Sequence, residues 1–430
     1  MSARLHLAWL VALVGASCFA PEEAVRCVDL NDGRVYYCGP GEMCMSGRCA
    51  TANNCTSSDP NACGASCMKC MTSEPNAVAV CRQGSCGIEC KPGACLVNGA
   101  CIDVMGSDPK NCGACGRACT SGQCSNGVCP TEVAAMKTIF PTSLMVAPDG
   151  SIVWLESTTG GLINQIKPGQ STVDVVYAAP MTNVPVALGV DVDAVYWAER
   201  NQQTAALGRV QTAKWTDRTP VVLANSQNNP YGLSVPNDGF VYWTNNGDGL
   251  VQRVGKSGGM FPTPLAALLS DKDLRGLAVK GDFVFFANRG ASEVQQVEVA
   301  TGTMKPPTKI AGAMQPESVL LAPDGNIFWT EFSTAGRVRR YSSADKQTKD
   351  FAIMQNVVFG LAADDKYIYW TEKGTGGSDG AVRRIKLDGS ESTPTYIAKG
   401  QPSPTSIAVD GQYVYWTTNI ANGQVLKTSK

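Results

Sequence analysis

The places where this chain could do chemistry are those where a repeat breaks. Thr142, Val186, Tyr231, Arg275, Glu317, Phe359 and Thr405 each stand directly before a short run of small and apolar residues. The runs resemble one another and the residues before them do not. Scaffold positions recur in kind, so a register that varies is where recognition is to be sought. Aromatic and arginine side chains carry a large share of the energy at binding surfaces. Tyr231, Arg275, Glu317 and Phe359 are therefore the candidate ligand-binding residues, the rings offering apolar area and Arg275 a forked donor for a carboxylate or a sugar hydroxyl. The plainer alternative is that Arg275 and Glu317 neutralise each other. At loop ends, such residues should be replaceable at a cost of only about 0.5 kcal/mol in stability.

Catalytic chemistry is harder to find. Glu156, Glu199, Glu331 and Glu372 occupy one repeated register, shared with Asn245, Asn288 and Thr418. General acid-base work needs a carboxylate with a unique partner, so these read as structural groups paired with arginine or backbone in a neighbouring repeat. The single histidine is His6, and the commonest proton shuttle and metal ligand near neutral pH is otherwise missing. There is no Gly-x-Ser-x-Gly elbow, phosphate-binding loop or His-Glu-x-x-His helix. Asp149, Asp193, Asp238, Asp324 and Asp410 sit in turns where Asp suits the local backbone, without the alternating oxygen ligands of a calcium loop. No catalytic residue, metal or cofactor is assigned.

The cysteines divide the chain. All 19 lie between Cys18 and Cys129. Residues 1–20 open with Arg4 and run through Leu5, Leu7, Trp9, Leu10, Leu13 and Val14 to Gly15-Ala16-Ser17, the layout of a secretory signal peptide. Cys18 then stands where a bacterial lipobox has its lipidated cysteine, so lipid anchoring and ordinary cleavage nearby are both open. From Cys27 onward, Gly and Asn punctuate a segment too poor in aliphatics for a core of its own, and disulfides are the staple an exported protein uses. Cys67/Cys70 and Cys112/Cys115 have zinc-ligand spacing, but the exported setting favours bridges, whose connectivity spacing does not reveal. A net charge of -1 gives no basic field for nucleic acid.

What must position the rim residues is a repeat. Trp154, Trp197, Trp243, Phe286, Trp329, Trp370 and Trp416 recur at intervals near 43 residues, each within an aromatic strand such as Tyr369-Trp370-Thr371-Glu372. Around each lie a small-residue strand, a third strand and an outer one, separated by turns such as Pro148-Asp149-Gly150 and Asn237-Asp238-Gly239. Four short strands per unit predict an all-β, seven-bladed propeller over 130–430, following a disulfide-rich module over 21–129. The last unit lacks an outer strand, and the orphan strand Val133 to Phe140 is expected to supply it by pairing near Gln424 to Lys427. The loops from Arg200 to Gly208 and from Lys373 to Gly380 should border the binding face.

The aromatic strand resembles the YWTD repeats of low-density-lipoprotein-receptor-type propellers and, more loosely, NHL and streptogramin-lyase propellers. Asp108-Pro109-Lys110-Asn111-Cys112-Gly113-Ala114-Cys115, with an imperfect copy at Asp59-Pro60-Asn61-Ala62-Cys63-Gly64-Ala65-Ser66-Cys67, resembles the stigma-specific cysteine-rich repeat, also found in exported myxobacterial proteins. The cysteine-rich resemblance implies an extracellular module without a defined chemistry; with the leader, the scarcity of catalytic signatures and the varied register, the reading is a secreted or outer-membrane lipid-anchored protein at the cell surface that binds an extracellular protein or glycan without catalysis. The alternative that the propeller resemblances imply is a metal-dependent hydrolase or lyase of gluconolactonase or streptogramin-lyase type. The lyase likeness would bring a catalytic histidine and a magnesium site, and the histidine is not in the repeats.

Overall fold

The computed structural model describes residues 26–29, 34–38, 42–45, 48–51, 58–61, 63–64, 68–106, 108–119, 124, 127–133, 138–258, 261–299 and 304–430. The leader, Cys18 and Cys67 lie outside them. No helix among the described residues is long and apolar enough to cross a membrane. They fall into two compact units, one ending at Asp103 and the other running Val104–Lys430.

The first unit is a string of short hairpins, among them Ala77–Arg82 with Ser85–Cys90 and Ala94–Val97 with Ala100–Asp103. Bridges Cys27–Cys44, Cys38–Cys49, Cys63–Cys81, Cys70–Cys86 and Cys90–Cys101 hold it. The second unit adds Cys112–Cys124 and Cys119–Cys129. The two copies of the cysteine motif share a geometry. Cys70 N–H donates to Pro60 O and Cys119 N–H to Pro109 O, while Gly64 and Gly113, both at positive φ, press against the carbonyls of Gly84 and Gly127. Cys115 is disulfide-bonded too. The sulfurs with zinc spacing that are described are thus oxidised and carry no thiolate for a metal.

Seven four-stranded antiparallel sheets follow, covering residues 141–178, 183–227, 230–267, 274–312, 316–355, 358–401 and 404–429. Blade three shows the plan: inner strand Pro230–Ser234, aromatic strand Phe240–Asn245, then Leu250–Gly255 and the outer Thr263–Ala267. Each anchor aromatic is the wedge between one blade and the one before it. Trp243 packs with Tyr196, Ala198 and Val210 of blade two, Trp370 with Phe328 and Val338 of blade five, and Trp154 with Tyr415 and Val425 of blade seven. All are at most 1% exposed, and Phe286 fills the same place in blade four. Burying rings of this size supplies much of the drive for closing such a ring.

Closure is made by strands from both ends of the propeller, as the repeat count requires, but it begins earlier than the orphan strand suggests. Thr131–Glu132 is the fourth strand of blade seven, with Glu132 opposite Leu426 and Thr131 opposite Lys427. Val133 N–H continues to Val425 O, and Thr138 bridges Gly423 further on. Two polar residues after a proline look like a linker, yet a ladder needs only their backbone groups.

Candidate binding site on the propeller axis

Three repeated devices make the site possible. In the first, Asp in the turn between inner and aromatic strands accepts backbone N–H groups with one oxygen and a tyrosine hydroxyl with the other. Asp364 takes Lys366 N and Tyr367 N through Oδ1 and Tyr369 Oη, at 2.8 Å, through Oδ2; Asp410 with Tyr415 and Asp191 with Tyr196 repeat this. These aspartates are turn staples. In the second, the carboxylate two residues past the anchor tryptophan accepts its indole N–H and an arginine. Glu199 receives Trp197 Nε1 at 2.9 Å and Arg209 at 3.0 Å, and Arg339 and Arg383 likewise reach Glu331 and Glu372. The arginine lies on the next strand of the same blade, not in a neighbouring one, because Arg209, Arg339 and Arg383 project from third strands paired directly to the aromatic strands. Burial pushes the Glu372 carboxyl up, with Arg383 and Trp370 opposing it.

The third device joins blades. Thr371 Oγ1 accepts Gly360 N–H of its own blade at 2.9 Å and donates to the carbonyl of Thr405 in the next at 2.8 Å. Thr244 links Gly232 N–H to Arg275 O, and Thr330 links Ser318 N–H to Phe359 O. The inner strands then lie so close that a Cβ on Gly232 would come within 2.5 Å of Arg275 O. In each link the accepting carbonyl belongs to a rim residue.

Held this way, the rim residues surround an axial cavity of about 340 Å³, lined by Thr142, Val186, Tyr231, Glu317, Phe359 and Thr405 and by Arg200 from the aromatic strand of blade two. Arg275 stands beside it, its guanidinium 4.5 Å from the Tyr231 ring centre. Each blade also gives the lining at least one aliphatic residue, from Leu144 and Leu188 to Leu361 and Ile407. Of the loops expected to border this face, the first thus contributes Arg200. The second, past Lys373, is folded on Asp379, which accepts Thr375 and Gly376 N–H.

Arg275 and Glu317 do not neutralise each other by direct pairing. Arg275 is forked onto Asp273 of its own blade, with Nε and Nη2 each 2.9 Å from a carboxylate oxygen, and Asn246 donates to the same carboxylate. Glu317, 4% exposed, accepts the Tyr231 hydroxyl at 2.6 Å and is paired with Arg289. Arg200 and Arg275 both stack on the Tyr231 ring, at 5.1 and 4.5 Å from its centre. Burial and the Glu317 charge push the Tyr231 hydroxyl up to about 12. Burial lowers the Arg200 pKa, Arg275 adds to that, and Tyr231 and Glu317 partly offset it. Phe359 meets Phe332 edge-on at 6.0 Å. Tyr231 and Arg275 are therefore half-buried members of a network, not free loop ends, and truncating them strands Glu317 and Asp273. The expected stability cost of about 0.5 kcal/mol is too small for them, since losing a partner of a buried charge costs more. Arg200, near the end of the aromatic strand of blade two, was expected only to open a loop bordering this face and was not named as a site residue, because nothing in its type or spacing shows that its side chain lines the axial cavity.

A magnesium site of the lyase kind does not fit this lining. Its one carboxylate, Glu317, is already held by Arg289 and Tyr231, and Arg200 and Arg275 lie beside it. A dication needs several free oxygen ligands and no adjacent guanidinium.

No family model and no curated protein matches the chain in sequence. Among solved structures it is similar to a streptogramin B lyase, with a TM-score of 0.56 and 13% identity over 70% of this chain and 97% of that one. A catalytically inactive virginiamycin B lyase from Staphylococcus aureus, solved with quinupristin, gives 0.56 and 14% over 70% and 98%. A chain of the mitotic checkpoint complex gives 0.55 and 13% over 67% and 90%. At such identities the likeness is one of fold: an all-β, seven-bladed propeller, found both in lyases and in a protein assembly.

Proposed function

We propose that this is an exported, non-catalytic binding protein whose propeller recognises an extracellular protein or glycan through the rim of its axial cavity, with Tyr231, Arg275, Glu317 and Phe359 forming the contact surface. The division of labour among side chains carries this reading. Repeated residues are committed to one another in the tryptophan-carboxylate-arginine, aspartate-tyrosine and threonine links, whereas the non-repeating ones gather around the cavity. The many bridges suit an oxidising compartment, and with the signal-peptide layout of 1–20 they support secretion or, through Cys18, an outer-membrane anchor. The proposed organisation is a leader at 1–20, a disulfide-stapled module at 21–129 and the propeller at 130–430.

The test is a binding screen of the purified exported chain against envelope glycans and exported proteins, repeated with an Arg275→Gln/Phe359→Ala variant. Loss of the captured partner by tenfold or more is expected, at a temperature where the variant is still folded, its cooperative melting transition being kept at a midpoint lowered by the loss of the Asp273 partner. Undiminished capture would move recognition to the cysteine-rich module or the opposite face. The alternative of a metal-dependent hydrolase or lyase is not supported by this lining, whose one carboxylate is already held by Arg289 and Tyr231; stoichiometric metal at the axis by elemental analysis would overturn the binding reading in its favour.

A further inference from the structure

The charges around Tyr231 do not cancel. Arg275 is taken by Asp273 and Arg289 by Glu317, which leaves Arg200 with no carboxylate partner among the described residues. Its Nε is buried without a hydrogen-bond acceptor, although the guanidinium lines the cavity. Arg200 is half-buried, and the Glu317 charge offsets only part of its burial because that carboxylate is held by Arg289; a cation so placed favours a ligand that supplies a further anion. Thr142 Oγ1, on the same lining, is likewise buried without a partner.

The rest of the lining says what the anion is attached to. Sugars are commonly gripped by an open aromatic face, and none is offered: the Tyr231 ring is occupied by two guanidiniums and Phe359 is packed edge-on against Phe332. The wall consists instead of aliphatic side chains, at least one from each blade, with hydroxyls such as those of Thr405 and Ser406 between them. About 340 Å³ is near the lower limit for a small-ligand pocket and holds a single residue.

We propose that the axial cavity is a receptor for a chain-terminal carboxylate, taking the last residue of a partner polypeptide with its carboxylate on Arg200 and an apolar side chain against the aliphatic wall. This rests on the reading of the rim as a recognition surface and names its ligand. Arg200 provides the forked donor such a carboxylate accepts, and Thr142 adds a neutral one. The partner is thereby a protein, not a glycan.

The experiment is isothermal titration of the full exported chain with N-acetyl-leucine, N-acetyl-leucinamide and glucuronate. The acid should bind at least tenfold more tightly than the amide. Arg200→Gln should erase that difference while melting as wild type does, and Arg200→Lys should keep part of it. Equal binding of acid and amide, no binding of either, or a preference for glucuronate overturns the inference, the last by making this an acidic-sugar site. The two readings separate cleanly. If N-acetyl-leucine fails while Arg275→Gln/Phe359→Ala still abolishes capture of a partner, the carboxylate site falls and the recognition face stands. If N-acetyl-leucine binds through Arg200 while capture ignores that double variant, the face falls as the partner's docking surface and the carboxylate site stands.

Discussion

Asp364 shows how much one side chain can settle. Burial opposes its charge, but Lys430, the N–H groups of Lys366 and Tyr367 and the Tyr369 hydroxyl outweigh it and hold the carboxyl down at about 2, against an ordinary 3.8. A carboxyl depressed on folding adds stability that is complete above the unfolded value and disappears as pH falls through the folded one. The wild-type melting temperature should therefore drop between about pH 4 and pH 2 more steeply than that of Asp364→Asn, as followed by circular dichroism. Parallel curves for the two proteins would show that the turn does not need the charge. The tyrosine partner was invisible in sequence as a partner, because Asp364 and Tyr369 look like a turn residue and a strand residue until the hairpin folds them together.

At the scale of the strand, what was legible was whatever repeats along the chain. The spacing of the tryptophans gave blade number and inter-blade packing, since a wedge residue must recur once per blade. The threonine links were not legible: Thr371 meets Thr405 O only after two blades are side by side. Gly360, on the inner strand of the blade that carries Thr371, sits where a Cβ would overlap the Thr405 carbonyl oxygen of the next blade. Gly360→Ala is thus expected to destabilise the propeller by about 1–3 kcal/mol, the usual cost of overpacking, in urea unfolding. A loss under about 0.5 kcal/mol would mean that the inner strands can part without penalty. The candidate site was legible by the opposite signal, irregularity. That pointed to Tyr231, Glu317 and Phe359, which line the axial cavity, and to Arg275 beside it, but not to Arg200, nor to the pairing of Glu317 with Arg289.

For the whole molecule, two kinds of closure matter beside the packing between blades. The cysteine-rich unit is held by covalent bridges and the propeller by a seventh sheet that contains strands from both its ends. The bridges were expected in kind, while their partners depend on which hairpins form and so lay beyond spacing. Intact-mass measurement after alkylation without reductant should show no added mass on the exported chain. Free thiols with bound zinc would instead restore the metal reading of Cys112 and Cys115.

The threonine links also bear on how such a protein can change over time. They grip the rim residues by their carbonyl oxygens, as with Phe359 and Thr405, and every amino acid has a carbonyl. A substitution at a rim position therefore leaves that link intact whatever side chain arrives. Phe359, whose side chain meets another ring edge-on, can drift one codon at a time, while Tyr231, Arg275 and Glu317, tied into one charged network, must change in concert. Divergence among descendants of this chain should accordingly begin at Phe359 and spread last to the arginine side of the cavity.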